Sequence, residues 1–145
     1  MPPNNTLNVS LITPDGEVYQ DSQAAVVIAP ASLGEVSILP NHIPFFTRLN
    51  TGEVTIKSSD KAQTFAVFGG FMDVNPEGQV TILADFAKRS QEIDLQTAQK
   101  AKAEAEKLMQ NKTKYSKKEY ARIETALKQA LFTIKMAEKV KKRKV

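Results

Sequence analysis

The sequence has no cysteine and a single histidine, His42. The first absence excludes disulfides, thiolate nucleophiles and cysteine-based zinc sites; the second leaves no imidazole cluster to hold a metal. No apolar run approaches the ~18 residues needed to span a bilayer. The opening "MPPNNTLNVS" has neither the basic end nor the apolar stretch of a signal peptide, so the expectation is a soluble intracellular chain. From Asp94 to the C-terminus there is no glycine and no proline. No glycine-rich phosphate loop of Walker or Rossmann spacing occurs, because the paired glycines of "FGGF", Phe68–Phe71, sit inside a β pattern and not before a helix. They read as a bulge or a close approach of two backbones.

With 145 residues the chain is one ordinary domain, or a small domain with an appendage. Its net charge of +4 conceals two opposed parts. Residues 1–93 hold 5 Lys/Arg against 10 Asp/Glu, net −5, and residues 94–145 hold 15 against 6, net +9. The two parts therefore suit different partners.

The first part alternates short Val/Ile/Thr/Phe-rich segments with Pro, Gly, Asn and Asp, at intervals of about 8–12 residues that mark an all-β sandwich or barrel. Strands are predicted over Leu7–Thr13, Glu17–Gln20, Ala24–Ala29, Gly34–Leu39, Phe45–Leu49, Glu53–Ser58, Ala62–Phe68, Phe71–Asn75 and Gln79–Ala84. Alternation places Val54 with Ile56, and Val80 with Ile82, on the core face. Asp15, Asp60, Asp73, Glu77 and Asp85 are expected at strand ends and turns. After "ADFAKRSQEID" strong helix formers take over. Leu95, Ala98, Ala101, Ala105 and Leu108 recur at helical spacing, "NKTKYS" interrupts, and Ser116 with Glu119 forms a capping box that starts a second helix. Tyr120, Ile123, Leu127, Ala130, Ile134 and Ala137 make its narrow apolar seam. The predicted architecture is β + α: an N-terminal antiparallel β-sandwich over 1–88, then an antiparallel two-helix hairpin over 89–145. So thin and alanine-rich a stripe makes the hairpin marginal alone and able to change partners.

His42 lies between Pro40 and Pro44 in "LPNHIPFF". It is the only base available to any serine, and no orienting acid stands nearby in the sequence, so a nucleophilic triad is disfavoured. The proline-bounded corner fits either a structural histidine or one presented to a partner. Phe45 and Phe46 are expected to divide between the core and a surface groove. In the basic half few aromatics interleave with the lysines, which disfavours nucleic acid. An acidic protein fits the charge equally well, and the tail "KVKKRKV" reads as a solvated lysine run.

The segments "LITPDGEVYQ", "GEVSILPNHIPFFTRLNTGEV", "FAVFGGFMDV", "VTILADFAKR" and "EIDLQTAQKAKAEAEKL", in this order, resemble the ε subunit of F-type ATP synthases, called δ in mitochondria. The resemblance runs from Leu7 to Lys139. It implies a non-catalytic rotor subunit on the cytoplasmic face of a bacterial plasma membrane, or the equivalent face in an organelle, reaching the membrane only through the complex. The sandwich would dock on the γ subunit and the polar loops of the c-ring, with Glu35 toward the c-ring and His42 toward γ. The helices would fold on themselves or extend along γ into the catalytic head, Arg122 and the lysines facing the catalytic subunits, and so block ATP hydrolysis. Family members that bind ATP carry Ile/Leu-Asp-x-x-Arg-Ala, which here reads Ile93, Asp94, Leu95, Gln96, Thr97, Ala98. Threonine replaces the arginine, and further basic positions of the family fall on Glu104, Gln129 and Thr133. A triphosphate needs positive charge, so Asp94 is expected to act as a helix N-cap and ATP, if bound at all, to bind weakly; Lys100 or Lys128 could compensate. No cofactor is required. The alternative reading is a free basic hairpin that binds nucleic acid or an acidic protein.

Overall fold

A computed structural model describes residues 5–143 and divides the chain into a β unit ending at Arg89 and a helical unit beginning at Ser90. The last two residues of the basic tail, Lys144 and Val145, lie outside the described residues. The division falls one residue after the expected position 88, because Arg89 is still paired in the sheet.

The β unit contains β1 (Leu7–Thr13), β2 (Gly16–Ala24), β3 (Val26–Ala31), β4 (Gly34–Ile38), β5 (Phe45–Leu49), β6 (Gly52–Lys57), β7 (Ala62–Val67), β8 (Gly70–Val74), β9 (Gln79–Ala84) and β10 (Ala87–Arg89). The path is β10-β7-β6-β3-β5-β8-β9-β1-β2, with β4 attached to β3. Every pairing is antiparallel except one: β1 runs parallel to β9, Val9 beside Val80 and Leu11 beside Ile82. The expected antiparallel sandwich therefore holds with one parallel seam. β2 runs longer than expected, absorbing two register shifts against β1, between Leu7 and Val9 and between Leu11 and Ile12. β10 is a strand where none was predicted.

One face of each long strand supplies the core. Leu7, Val9, Leu11, Val27, Val54, Ile56, Phe65, Val67, Met72, Val74, Val80 and Ile82 are buried together. Leu39-Pro40-Asn41-His42 forms a type II turn: the His42 amide donates to the Leu39 carbonyl at 3.2 Å, Pro40 presets φ at the second position, and Asn41 takes φ 70° at the third.

The helical unit has a 3-10 turn at Ser90–Glu92, α1 (Leu95–Met109), a second 3-10 turn at Lys112–Lys114 and α2 (Lys117–Arg143). The two helices pack on each other and the Ser90–Glu92 turn lies against α2. The capping box is formed: the Glu119 amide donates to Ser116 Oγ at 3.2 Å and the Ser116 amide to Glu119 Oε2 at 3.3 Å. On α1 the stripe differs from expectation. Ala98 and Ala105 are buried, but Ala101 and Leu108 face solvent, and half-buried Lys102 and Met109 take their places. A lysine stem can cover apolar surface while its ammonium stays in water, here 3.8 Å from Glu106. On α2 the seam positions are buried or half-buried, and Phe132, Thr133 and Met136 are buried as well.

Candidate functional site

Pleating turns Phe46 and Arg48 of β5, Phe71 and Asp73 of β8, and Leu83 of β9 outward while their neighbours enter the core. The register sets Arg48 beside Phe71, Phe71 beside Leu83, and Leu83 beside Ile12 of β1. Phe46 and Phe71 stack diagonally, centroids 5.7 Å apart and planes 16° from parallel. Phe46 is nevertheless 65% exposed, Leu83 51% and Phe71 44%. A contiguous apolar row on a sheet face rimmed by charge is the kind of surface that a protein partner covers.

Beside this row a groove of about 550 Å³ runs between the β3–β4 hairpin and β5, with Leu33, Glu35 and Val36 on one wall and Phe46, Arg48 and Phe71 on the other. Glu35 is exposed on β4. Leu33, at the hairpin tip, is fully exposed. Phe45 packs against the core while Phe46 lines the groove, the expected division.

His42 is half-buried in its turn, its Nδ1 2.6 Å from the Ile43 carbonyl oxygen and its ring 5.8 Å from the Phe45 ring. Those contacts hold the ring as part of the corner, with Leu39 and Ile43 exposed on either side. Among the described residues no group of three or more His, Asp or Glu side chains is placed to hold a metal. The structure thus brings Glu35 to the groove and leaves His42 at the corner that feeds β5. Arg122 belongs to the other unit, exposed on α2 along a shallow groove with Lys118, Thr125 and Gln129.

Asp94 caps α1. Its Oδ1 accepts from the Gln96 amide at 3.1 Å and its Oδ2 from the Thr97 hydroxyl at 2.8 Å. The Thr97 hydrogen bond, then the Gln96 amide, hold the Asp94 carboxyl below its ordinary range. Ile93 is half-buried just before the cap, and Ala98 is buried one turn into the helix. Thr133 is buried and donates its hydroxyl to the Gln129 carbonyl at 2.7 Å. Thr97 and Thr133 thus each donate their hydroxyl to a neighbour on their own helix end or helix.

Sequence reading passed over Phe71, Leu83 and Leu33. The signal was available for the first two: each is a large apolar residue at the outward position of a strand whose alternate residues already fill the core.

The chain is thus a β-sandwich followed by a two-helix hairpin, with an apolar row exposed on one sheet face. Residues 6–90 match the family described as ATP synthase, Delta/Epsilon chain, beta-sandwich domain, and residues 91–138 match ATP synthase, Delta/Epsilon chain, long alpha-helix domain. The ATP synthase epsilon chain of an Exiguobacterium species is 42% identical over 128 residues, covering 88% of this chain and 92% of that one. That of Pediococcus pentosaceus is 35% identical over 139 residues, covering 95% and 99%. In the fold comparison, a chain of the Euglena gracilis mitochondrial ATP synthase (OSCP/F1/c-ring) superposes with a TM-score of 0.65 at 24% identity, over 95% of this chain and 84% of that one. The chain belongs to the delta/epsilon family of ATP synthase subunits.

Proposed function

We propose that this chain is the non-catalytic central-stalk subunit of an F-type ATP synthase, coupling rotation to ATP synthesis through its sandwich and restraining ATP hydrolysis through its helices. The observation that carries the docking part is the outward row of Phe46, Phe71 and Leu83, which an isolated domain has no reason to expose and a protein partner would bury. The γ subunit is the proposed partner of that row and of the His42 corner; Glu35 and its groove are assigned to the c-ring loops. Arg122 and the lysines of the helical unit are assigned to acidic surfaces of the catalytic subunits. No helix among the described residues is long and apolar enough to cross a membrane. Attachment to the cytoplasmic face of the membrane is therefore proposed to run through the complex.

Replacing both phenylalanines, F46T with F71T, tests the docking assignment. Phe46 is 65% and Phe71 44% exposed, so threonines, which suit a strand, should leave the isolated chain folded with only a modest loss in unfolding midpoint, whereas affinity for an α/β/γ catalytic core should fall by about 100-fold. Unchanged affinity would remove this face from the interface.

ATP is proposed to bind weakly. What supports this is the engagement of Thr97 with Asp94 and of Thr133 with Gln129, together with an acidic residue at Glu104. Titration calorimetry should find a dissociation constant no tighter than about 1 mM; a micromolar constant would refute the reading.

A further inference from the structure

The chain leaves the β unit through β10, a strand of three residues paired only with β7: Ala87 beside Val67, Lys88 beside Ala66, Arg89 beside Phe65. One more backbone bond, from the Phe68 amide to the Phe86 carbonyl at 2.8 Å, precedes the ladder. So short an edge strand, with a half-buried side chain at each position, is expected to fray. Its last side chain counters this. The Arg89 guanidinium lies 5.4 Å from the Tyr19 ring centroid and 5.6 Å from that of Phe65, and donates to Gln63 Oε1 at 3.0 Å. The two rings are themselves in contact, centroids 5.1 Å apart.

The placement matters because Tyr19 belongs to β2, and β2 and β10 are the two ends of the sheet path. The guanidinium therefore joins β10 to a ring contact, Tyr19 on Phe65, that already links the two ends of the path. It does so with a delocalised cation close to both rings and an N–H that donates to Gln63; a compact, more strongly hydrated ammonium is a poorer match for these contacts together. Burial and the neighbouring Asp21 raise the Tyr19 pKa, while Arg89 opposes them, so the ring under the guanidinium stays a neutral phenol at ordinary pH. Immediately beyond, the Ser90–Glu92 turn lies against α2 and is part of the helical unit.

We infer that Arg89 is a positioning residue that locks the end of the β unit, clasping β10 on Tyr19, Phe65 and Gln63 so that the sheet stays ordered up to its last residue. Without the clasp, three residues of edge strand would open and leave the edge of β7 unpaired. The inference concerns β10 alone and does not depend on whether the helices inhibit hydrolysis.

Amide hydrogen exchange on the full-length chain, compared among the parent, R89A, R89K and Y19F, tests it. R89A should speed exchange across residues 86–89 and at Phe68 by about tenfold, with β1, β8 and β9 changed by less than about twofold. R89K should resemble R89A, because a strongly hydrated ammonium does not replace a delocalised guanidinium between two rings and Gln63, and Y19F should resemble the parent, because the ring remains. Three results would overturn the inference: no acceleration in R89A, acceleration spread evenly over the sandwich, or parent-like protection in R89K. A Y19F chain as loose as R89A would also overturn it, moving the hold to the phenol hydroxyl.

Discussion

Removing everything after Arg89 should raise ATP hydrolysis by a reconstituted enzyme about fivefold relative to the same enzyme carrying the full chain, while leaving the sandwich folded and bound. The sandwich should survive because its buried cluster is drawn entirely from residues between Leu7 and Ala84. The cut belongs after Arg89 and not at the start of α1, since Ser90–Glu92 packs with α2 and would be left without its support. The direction of the effect follows from charge and packing together. From Asp94 onward the chain carries a net charge of +9, and although α2 buries Phe132 and Met136, the side chains that α1 buries fully are only Ala98 and Ala105. At about 0.8 kcal/mol per buried CH₂, such a contact gives the folded hairpin little advantage over an acidic partner elsewhere. If inhibition rests on those charges, salt should weaken it as the screening length shortens. Assay of hydrolysis with both chains across a salt series decides the matter: equal rates at low salt would reduce the helices to a structural role.

The largest single-residue effect on stability is expected at Gly70. It has φ 128°, and a Cβ built there would stand 2.0 Å from the Leu83 carbonyl oxygen and 2.8 Å from the Ala84 Cα. Both are backbone atoms of the paired strand β9, so neither can swing aside, and β9 is itself clamped on its far side by β1. A methyl group would have to push two central strands apart and also hold a backbone conformation that L residues rarely adopt. G70A should therefore lose about 3–4 kcal/mol or fail to fold. Gly69 is the internal control. It also has positive φ, 71°, but its added Cβ would meet only the Asp85 carboxylate at 3.1 Å, the far end of a side chain that can turn away. G69A should cost about 1 kcal/mol. Urea unfolding of the two variants measures the difference, and equal losses would contradict the steric account.

Much of this was legible in advance. Every predicted strand is present, because each is bounded by residues whose backbone preferences act locally: Pro14-Asp15-Gly16, Asn50-Thr51-Gly52 and Pro76-Glu77-Gly78 turn the chain wherever it is placed. The same locality accounts for the Ser116–Glu119 capping box and the Asp94 cap, both of which close within three residues. The run of helix formers from Asp94 onward, free of glycine and proline, and the charge break between the two parts were equally visible.

What sequence could not supply were relations between residues far apart in the chain. The parallel pairing of β1 with β9 joins segments about seventy residues apart and has no local signature. β10 escaped because "AKR" has neither length nor apolar alternation, and exists as a strand only because β7 offers an edge and Tyr19, Phe65 and Gln63 receive Arg89. The α1 stripe was drawn through Ala101 and Leu108, whereas packing on α2 selected Lys102 and Met109, since helical spacing offers several adjoining faces and the partner helix chooses one. Local backbone preference and side-chain period thus sufficed for the elements and their order. The docking row, the groove beside Glu35 and the Arg89 clasp came into being only when folding set separate strands side by side.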